Sequence, residues 1–389
     1  MARGRVYLDW NATSPLLPAA RDALVAALDA FGNPSSVHGE GRRARALIEA
    51  ARSQVAALAG VAPGRVIFTS GGTEAANLAL TPNLVSVGER PCDLLFAAAG
   101  EHACVLEGHR FPAERVRIVP LTVDGVLDLD ALASMLDEAG NARVMLALQA
   151  ANNETGAIQP VREAAALVHE RGGVVVCDAV QAAGRIDVRA QTLDADAIIL
   201  SGHKIGGAKG VGALALRAAD ANMDMRMLRG GGQERNLRAG TENFSGIVAF
   251  GVAAEWVLRE REDEMRRLAF LRDGMEDRLA CALPGLTVFA GGAPRLGNTS
   301  AFALPGAPAA TLLIGLDLEG FAVSSGSACS SGKVKASHVL AAMGVAPDMA
   351  SGAIRVSLGR ETSAADVSGF ADAFARVASR IAERRKSAA

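Results

Sequence analysis

Lys204 follows the apolar run of residues 195–200 in Ser201-Gly202-His203-Lys204, and Asp178 follows a second apolar run, 173–177, in Asp178-Ala179-Val180-Gln181. Continuous apolar runs of this length read as strands buried on both faces, so both groups stand at strand ends. A lysine amine condenses with an aldehyde, and a carboxylate opposite an aromatic ring nitrogen keeps that nitrogen protonated so that the ring can absorb electrons. Together they suit pyridoxal 5'-phosphate, with Lys204 on its aldehyde and Asp178 on its ring nitrogen. Taken singly, Lys204 reads equally as a solvated loop lysine and Asp178 as a helix cap.

Other groups converge on the same chemistry. Ser70-Gly71-Gly72-Thr73-Glu74 follows the run Val66–Thr69 and opens a helical segment, where backbone N–H groups face an anion; it is a phosphate cup or a plain strand-to-helix turn. Glu101-His102 follows residues 94–99, which puts His102 at a strand end on the side of Asp178. Arg355, in the apolar run 353–358, is an expensive buried charge unless it serves an anion, and its planar fork suits a bidentate carboxylate; otherwise it is a surface arginine on an edge strand. Cys329 lies among Ser324-Ser325-Gly326-Ser327-Ala328-Cys329-Ser330-Ser331-Gly332, small residues that build no rigid core, so a mobile loop is expected.

The elements that must position these groups alternate. Strand-length apolar runs at Val66–Thr69, Leu94–Ala98, 144–148, 174–177, 198–200 and Gly212–Leu216 are separated by segments such as 128–138 and 161–170 with apolar residues at three- and four-residue spacing. That predicts βα units, a mostly parallel sheet and helices on both faces, an α/β architecture. From about residue 245 a long amphipathic stretch leads to 283, and beyond it short strands at 286–289 and 300–303 mix with helices in a smaller α+β region.

Read together, these segments resemble one family closely, the group I, NifS/IscS-like cysteine desulfurases of the fold-type I pyridoxal phosphate enzymes, within the class V aminotransferases. The resemblance is carried by Tyr7-Leu8-Asp9-Trp10-Asn11-Ala12-Thr13, Gly32-Asn33-Pro34-Ser35-Ser36, Asn152-Asn153-Glu154, Gly230-Gly231-Gly232-Gln233-Glu234, Gly240-Thr241-Glu242-Asn243 and Ile354-Arg355-Val356-Ser357-Leu358-Gly359-Arg360, besides the segments already quoted. It implies a large cofactor domain over residues 13–255 and a small domain from residues 1–12 and 256–389 that carries the Cys329 loop, about 322–335. It also implies that Gly72, Thr73, Ser201 and His203 bind the cofactor phosphate and that His102 stacks on the ring and relays protons. Asn153 and Gln181 would contact the ring hydroxyl or the substrate side, and Asn11, Asn153 and Arg355 the substrate. Thr241 would reach the phosphate of a neighbouring subunit, making the site require a homodimer. The implied reaction takes L-cysteine to L-alanine: Lys204 removes the alpha proton and Cys329 attacks the substrate sulfur, keeping it as a persulfide for a sulfur acceptor or iron-sulfur scaffold. Two departures stand out: Ala208 where many members carry proline, and Ser330 to Lys335, which alter the stretch that meets acceptors.

Composition narrows the alternatives. With 389 residues, half of them apolar, the chain affords a large core, and 40 basic against 42 acidic residues give a net charge of -2 with no field to recruit nucleic acid or a membrane surface. No apolar leader or run of membrane-spanning length occurs, so a cytoplasmic protein is expected. Its five cysteines, Cys92, Cys104, Cys177, Cys281 and Cys329, have neither disulfide-framework nor metal spacing; Cys177 and Cys281 are expected as small buried hydrophobes, and no metal is expected. A selenocysteine lyase or an aminotransferase of the same fold, or a non-catalytic scaffold, are the competing readings. A dinucleotide-binding oxidoreductase is weaker, because Gly230-Gly231-Gly232 lacks the required glycine spacing.

Overall fold

The computed structural model describes residues 4–84, 89–218, 226–325 and 337–388, with side chains described to residue 384. Cys329 and most of its expected loop therefore lie outside the described residues. In chain order the strands are β1 (Val6–Tyr7), β2 (Val66–Thr69), β3 (Leu94–Ala98), β4 (Val116–Val119), β5 (Val144–Gln149), β6 (Val174–Asp178), β7 (Ala197–Ser201) and β8 (Gly212–Leu216). After a helix of 39 residues, Phe244–Ala282, come β9 (Thr287–Val288), β10 (Thr299–Ala303), β11 (Phe321–Ala322), β12 (Ser324–Ser325) and β13 (Ile354–Ser357).

Seven strands form one sheet in the order β2-β8-β7-β6-β5-β3-β4, parallel except where β8 pairs antiparallel with both β2 and β7. β2, β5, β6, β7 and β8 are buried at every residue, as strands must be when helices cover both faces. The sheet is the α/β arrangement that the runs of apolar residues predict, in the fold-type I architecture that the family resemblance implies. β4 escaped that reading because its middle residues Arg117 and Ile118 are exposed, so no continuous apolar run marks this edge strand. The chain runs outward from β3 to β4 and then returns to the other side of β3 with β5. This reversal opens a crevice beyond the carboxyl ends of β3 and β5, where open α/β sheets bind ligands.

A four-stranded antiparallel sheet, β12-β13-β10-β9, and the parallel pair β1-β11 form the second region. The Phe244–Ala282 helix joins the regions: Ile247, Phe250 and Ala254 pack into the large sheet's core, while Leu268, Met275 and Leu279 pack with Phe302, Ile354 and Phe374. Two expectations are corrected. Cys281, at the end of this helix, is exposed rather than buried, because the apolar stripe of the last turns passes through Met275 and Leu279 and leaves it on the solvent face. Within the loop expected over about 322–335, Ser324 and Ser325 are strand rather than loop: they pair with Arg355 and Ile354, and Ser325 is buried.

One buried ion pair ties the helix Gly39–Ala59 to the sheet. Arg52 donates through Nη1 and Nη2 to the two carboxylate oxygens of Glu234, both at 2.8 Å, and Glu234 Oε2 also accepts the Phe68 N–H at 2.8 Å. Glu234 exposes 1% of its side chain and Arg52 8%, and Arg52 Nε also pairs with the half-exposed Glu49 at 3.1 Å. Glu234→Ala is expected to lower the unfolding free energy by about 3 kcal/mol, read from denaturant unfolding, the lower end of the cost of breaking a buried pair because Glu49 still offsets part of the Arg52 charge.

Candidate active site

Asn11, Gly72, Thr73, His102, Asn153, Asp178, Gln181, Ser201, His203, Lys204 and Arg355 line one pocket of about 280 Å³, joined by Ala12, Cys104, Gln149, Ala151 and Val180. Strand ends supply most of them: Asp178 closes β6, Ser201 closes β7, Gln149 closes β5, and His102 follows β3. Of the described residues expected at the site, one is not brought there. Thr241 is exposed and outside the pocket, and Cys329 lies outside the described residues.

Lys204 donates from Nζ to the backbone oxygens of Asn11 at 2.6 Å and Ala12 at 2.9 Å. Burial, with help from the nearby charges of Arg355 and Arg185, pushes its pKa down to about 8 from a free lysine's 10.5, while Asp178 and Asp9 oppose that. The unfolded chain therefore binds the extra proton between pH 8 and 10.5, so the stability of the cofactor-free protein is expected to rise with pH across this window. Thermal melts against pH check the sign, and Lys204→Met should flatten the rise.

Asp178, 8% exposed, is raised above the ordinary carboxylate range by burial; the Val180 N–H at 2.9 Å and the charges of His102 and Lys204 pull it back. Such a carboxyl is ready for a cationic partner. His102 lines the pocket as a solvent-exposed residue; desolvation by the surrounding protein lowers its pKa, Asp178 raises it and Lys204 lowers it. Its Nδ1 accepts the Cys104 N–H at 3.1 Å as the cap of the helix Ala103–Leu106, so in the neutral ring Nε2 carries the proton.

The helix Gly72–Ala79 begins directly after β2, and its first-turn N–H groups lack intrahelical acceptors. A Cβ on Gly72 would stand 2.9 Å from Val180 Cγ2, and one on Gly212 would stand 2.5 Å from the carbonyl carbon of Gly71. Gly212→Ala should therefore displace the helix start and weaken phosphate binding roughly tenfold or more, the scale of overpacking, as equilibrium titration with pyridoxal phosphate would record.

Arg355 is buried, but its charge is balanced: Nη2 bonds Asp9 Oδ1 at 2.7 Å and Nη1 the Asn153 oxygen at 3.0 Å, while Nε is buried with no hydrogen-bond partner among the described residues. Asp9 stood in a quoted motif without a role; a charge just after the short strand β1 was the available signal. The Asn11 side chain is spent on protein partners, donating to Thr299 Oγ1 at 3.0 Å and Asn153 O at 3.3 Å and accepting from Asn298 at 3.1 Å. It shapes the pocket wall. Gln149, held by a bond to Gly100 O at 2.6 Å, and Glu101 were not anticipated. Glu101 is fully buried, accepts the Gln149 N–H at 2.8 Å, and is held well above the carboxylate range by burial and by Asp178.

The aminotransferase class-V family model matches residues 6–370. The chain belongs to the class-V aminotransferase family. A cysteine desulfurase of Cereibacter sphaeroides is 41% identical over 370 residues, 93% of each chain. The crystal structure of a NifS-like protein from Rickettsia africae superposes with a TM-score of 0.86 at 31% identity, covering 96% of this chain and 99% of that one. A structure titled SspA in complex with cysteine superposes with a TM-score of 0.75 at 26% identity over 91% of this chain and 98% of its own. Within the class-V aminotransferases, then, the relatives are cysteine desulfurases.

Proposed function

We propose that the protein is a pyridoxal phosphate-dependent cysteine desulfurase that converts L-cysteine to L-alanine and passes the sulfur to Cys329 as a persulfide. The observation that carries this is the convergence of a half-buried lysine of lowered pKa, a buried carboxyl and a helix start on one pocket, in a chain 41% identical to a cysteine desulfurase. The donor set fits the cofactor: Asp178 for the ring nitrogen, the Gly72 and Thr73 N–H groups with Ser201 and His203 for the phosphate, His102 against the ring, and Asn153 and Gln181 at its edge. Burial and the charge of Lys204 lower the His203 pKa to about 4, so it meets a phosphate as a neutral hydrogen-bonding ring.

Bound there, pyridoxal phosphate supplies an aldehyde that captures amines and a protonated ring that takes up electrons released at the alpha carbon. Lys204, with its pKa near 8, takes the alpha proton as a general base. Arg355, which lines the pocket, meets the substrate carboxylate with its guanidinium charge. The Cys329 thiolate forms a sulfur–sulfur bond with the substrate as the carbon–sulfur bond breaks, and Nε2 of His102 or Lys204 returns the proton that completes alanine. Incubation with L-cysteine and a reductant should yield alanine and sulfide in equal amounts; neither product from a fully reconstituted protein would reject the reading.

We further divide the chain into a large cofactor domain, residues 13–255, and a small domain of residues 1–12 and 256–389. Thr241, exposed and not part of its own pocket's lining, suits a contribution to the site of a second subunit, hence a homodimer. The sulfur's destination is a protein acceptor of thiolation or iron-sulfur assembly, in the cytoplasm, where the described thiols Cys92, Cys104, Cys177 and Cys281 stay unbridged. Among the described residues no helix is long and apolar enough to cross a membrane.

A further inference from the structure

Arg185 is a buried cation to which the chemistry above gives no task. It is 9% exposed, and among the described residues no carboxylate lies within ion-pair distance of it, an unfavourable state for a guanidinium. Its Nη1 donates to the Gln181 backbone oxygen and, at 2.7 Å, to Gln181 Oε1. With Oε1 held, the amide turns its Nε2 to the Asn11 oxygen at 3.0 Å, and that same oxygen accepts Lys204 Nζ at 2.6 Å. A chain of hydrogen bonds thus runs from Arg185 through Gln181 and Asn11 to the reactive amine. Arg185 does not line the active-site pocket; it lines a separate cavity of about 60 Å³ behind it, with Trp10, Ser14 and Arg360, and Lys204 borders both spaces.

Resting on the pyridoxal phosphate reading above, we propose that Arg185 is a positioning residue for Lys204. From behind the pocket it fixes the Gln181 amide against the Asn11 carbonyl and biases the Lys204 nitrogen toward its uncharged form. Lys204 is also faced by Arg355 on β13, by the rings of His102 and His203, and by the carboxylates of Asp178 on β6 and Asp9. Arg355 and Arg185 disfavour the proton and the two carboxylates favour it, so deleting Arg185 tips the balance toward protonation. Orienting Gln181 also leaves the second N–H of its amide for the pocket that it lines.

The test is the pH titration of the absorbance band of the lysine-bound cofactor in holoenzyme, for the wild type, Arg185→Lys, Arg185→Gln and Arg185→Met. The midpoint should rise by about one unit in Arg185→Met and Arg185→Gln, the usual effect of one nearby charge, and stay at the wild-type value in Arg185→Lys. Arg185→Met keeps the buried stem, and exchanging a buried charge for an apolar group is often neutral for stability. Should Arg185→Met fail to fold, Arg185→Gln, which can still bond Gln181, decides. Midpoints that coincide across all four proteins overturn the proposal while leaving the cofactor reading intact, whereas a wild type that never develops the band removes both.

Discussion

Lys204→Ala should abolish alanine formation from L-cysteine, with a loss of roughly 10⁴-fold or more, the upper range for a positioned acid–base group. The reason lies in its surroundings. Its Nζ is held by two backbone carbonyls, half-buried, and crowded by Arg185 and Arg355, so its pKa falls to about 8 and the amine can take a proton near neutral pH. Among the described residues no other lysine lines the pocket. The variant should fold: at neutral pH the cofactor-free wild type carries a charged amine in a site that disfavours it, so removing it should leave the melting temperature unchanged or raised. Pyridoxal phosphate added to the variant should give no lysine-bound absorbance band, and substantial alanine formation would show that the proton moves through another group.

Cys329→Ser should separate cofactor chemistry from sulfur transfer. Sulfide release should fall roughly 10⁴- to 10⁶-fold, as when other enzymes lose their nucleophile, because a serine hydroxyl neither ionises near neutral pH nor forms a stable bond to sulfur. The absorbance change on adding L-cysteine should persist, since Lys204, Asp178 and His102 are untouched. Alanine made at the wild-type rate by this variant would sink the persulfide step and favour an aminotransferase or lyase reaction of the same fold.

Much of this was legible in the residues, for physical reasons that differ from element to element. β2 and β8 carry unbroken apolar runs because helices cover both faces, so their bounds could be read directly. β6 and β7 end one residue beyond their apolar runs, at Asp178 and Ser201, and those two polar residues are the ones the pocket uses. β4 was invisible because an edge strand with an exposed middle has no such run. Cys281 was misplaced because a helical pattern does not say which face the last turn buries.

The site divides likewise. Lys204, Asp178 and the Gly72 turn follow strands, and their chemistry is local. The counter-charge of Arg355, by contrast, comes from Asp9, 346 positions away in the chain, and the tether on Gln181 comes from Arg185, whose lack of a carboxylate partner among the described residues only a folded chain reveals. Pairings of that separation leave no spacing signal. Arg355 was expected to serve an anion, and the protein itself provides one in Asp9.

The most direct test is the intact mass of the reconstituted protein after L-cysteine without reductant, followed by mapping of the modified peptide. The account predicts one added sulfur on the peptide that contains Cys329, released by reductant and absent from Cys329→Ser. Alanine formed with no sulfur on that peptide, or with sulfur on Cys104 instead, would contradict it.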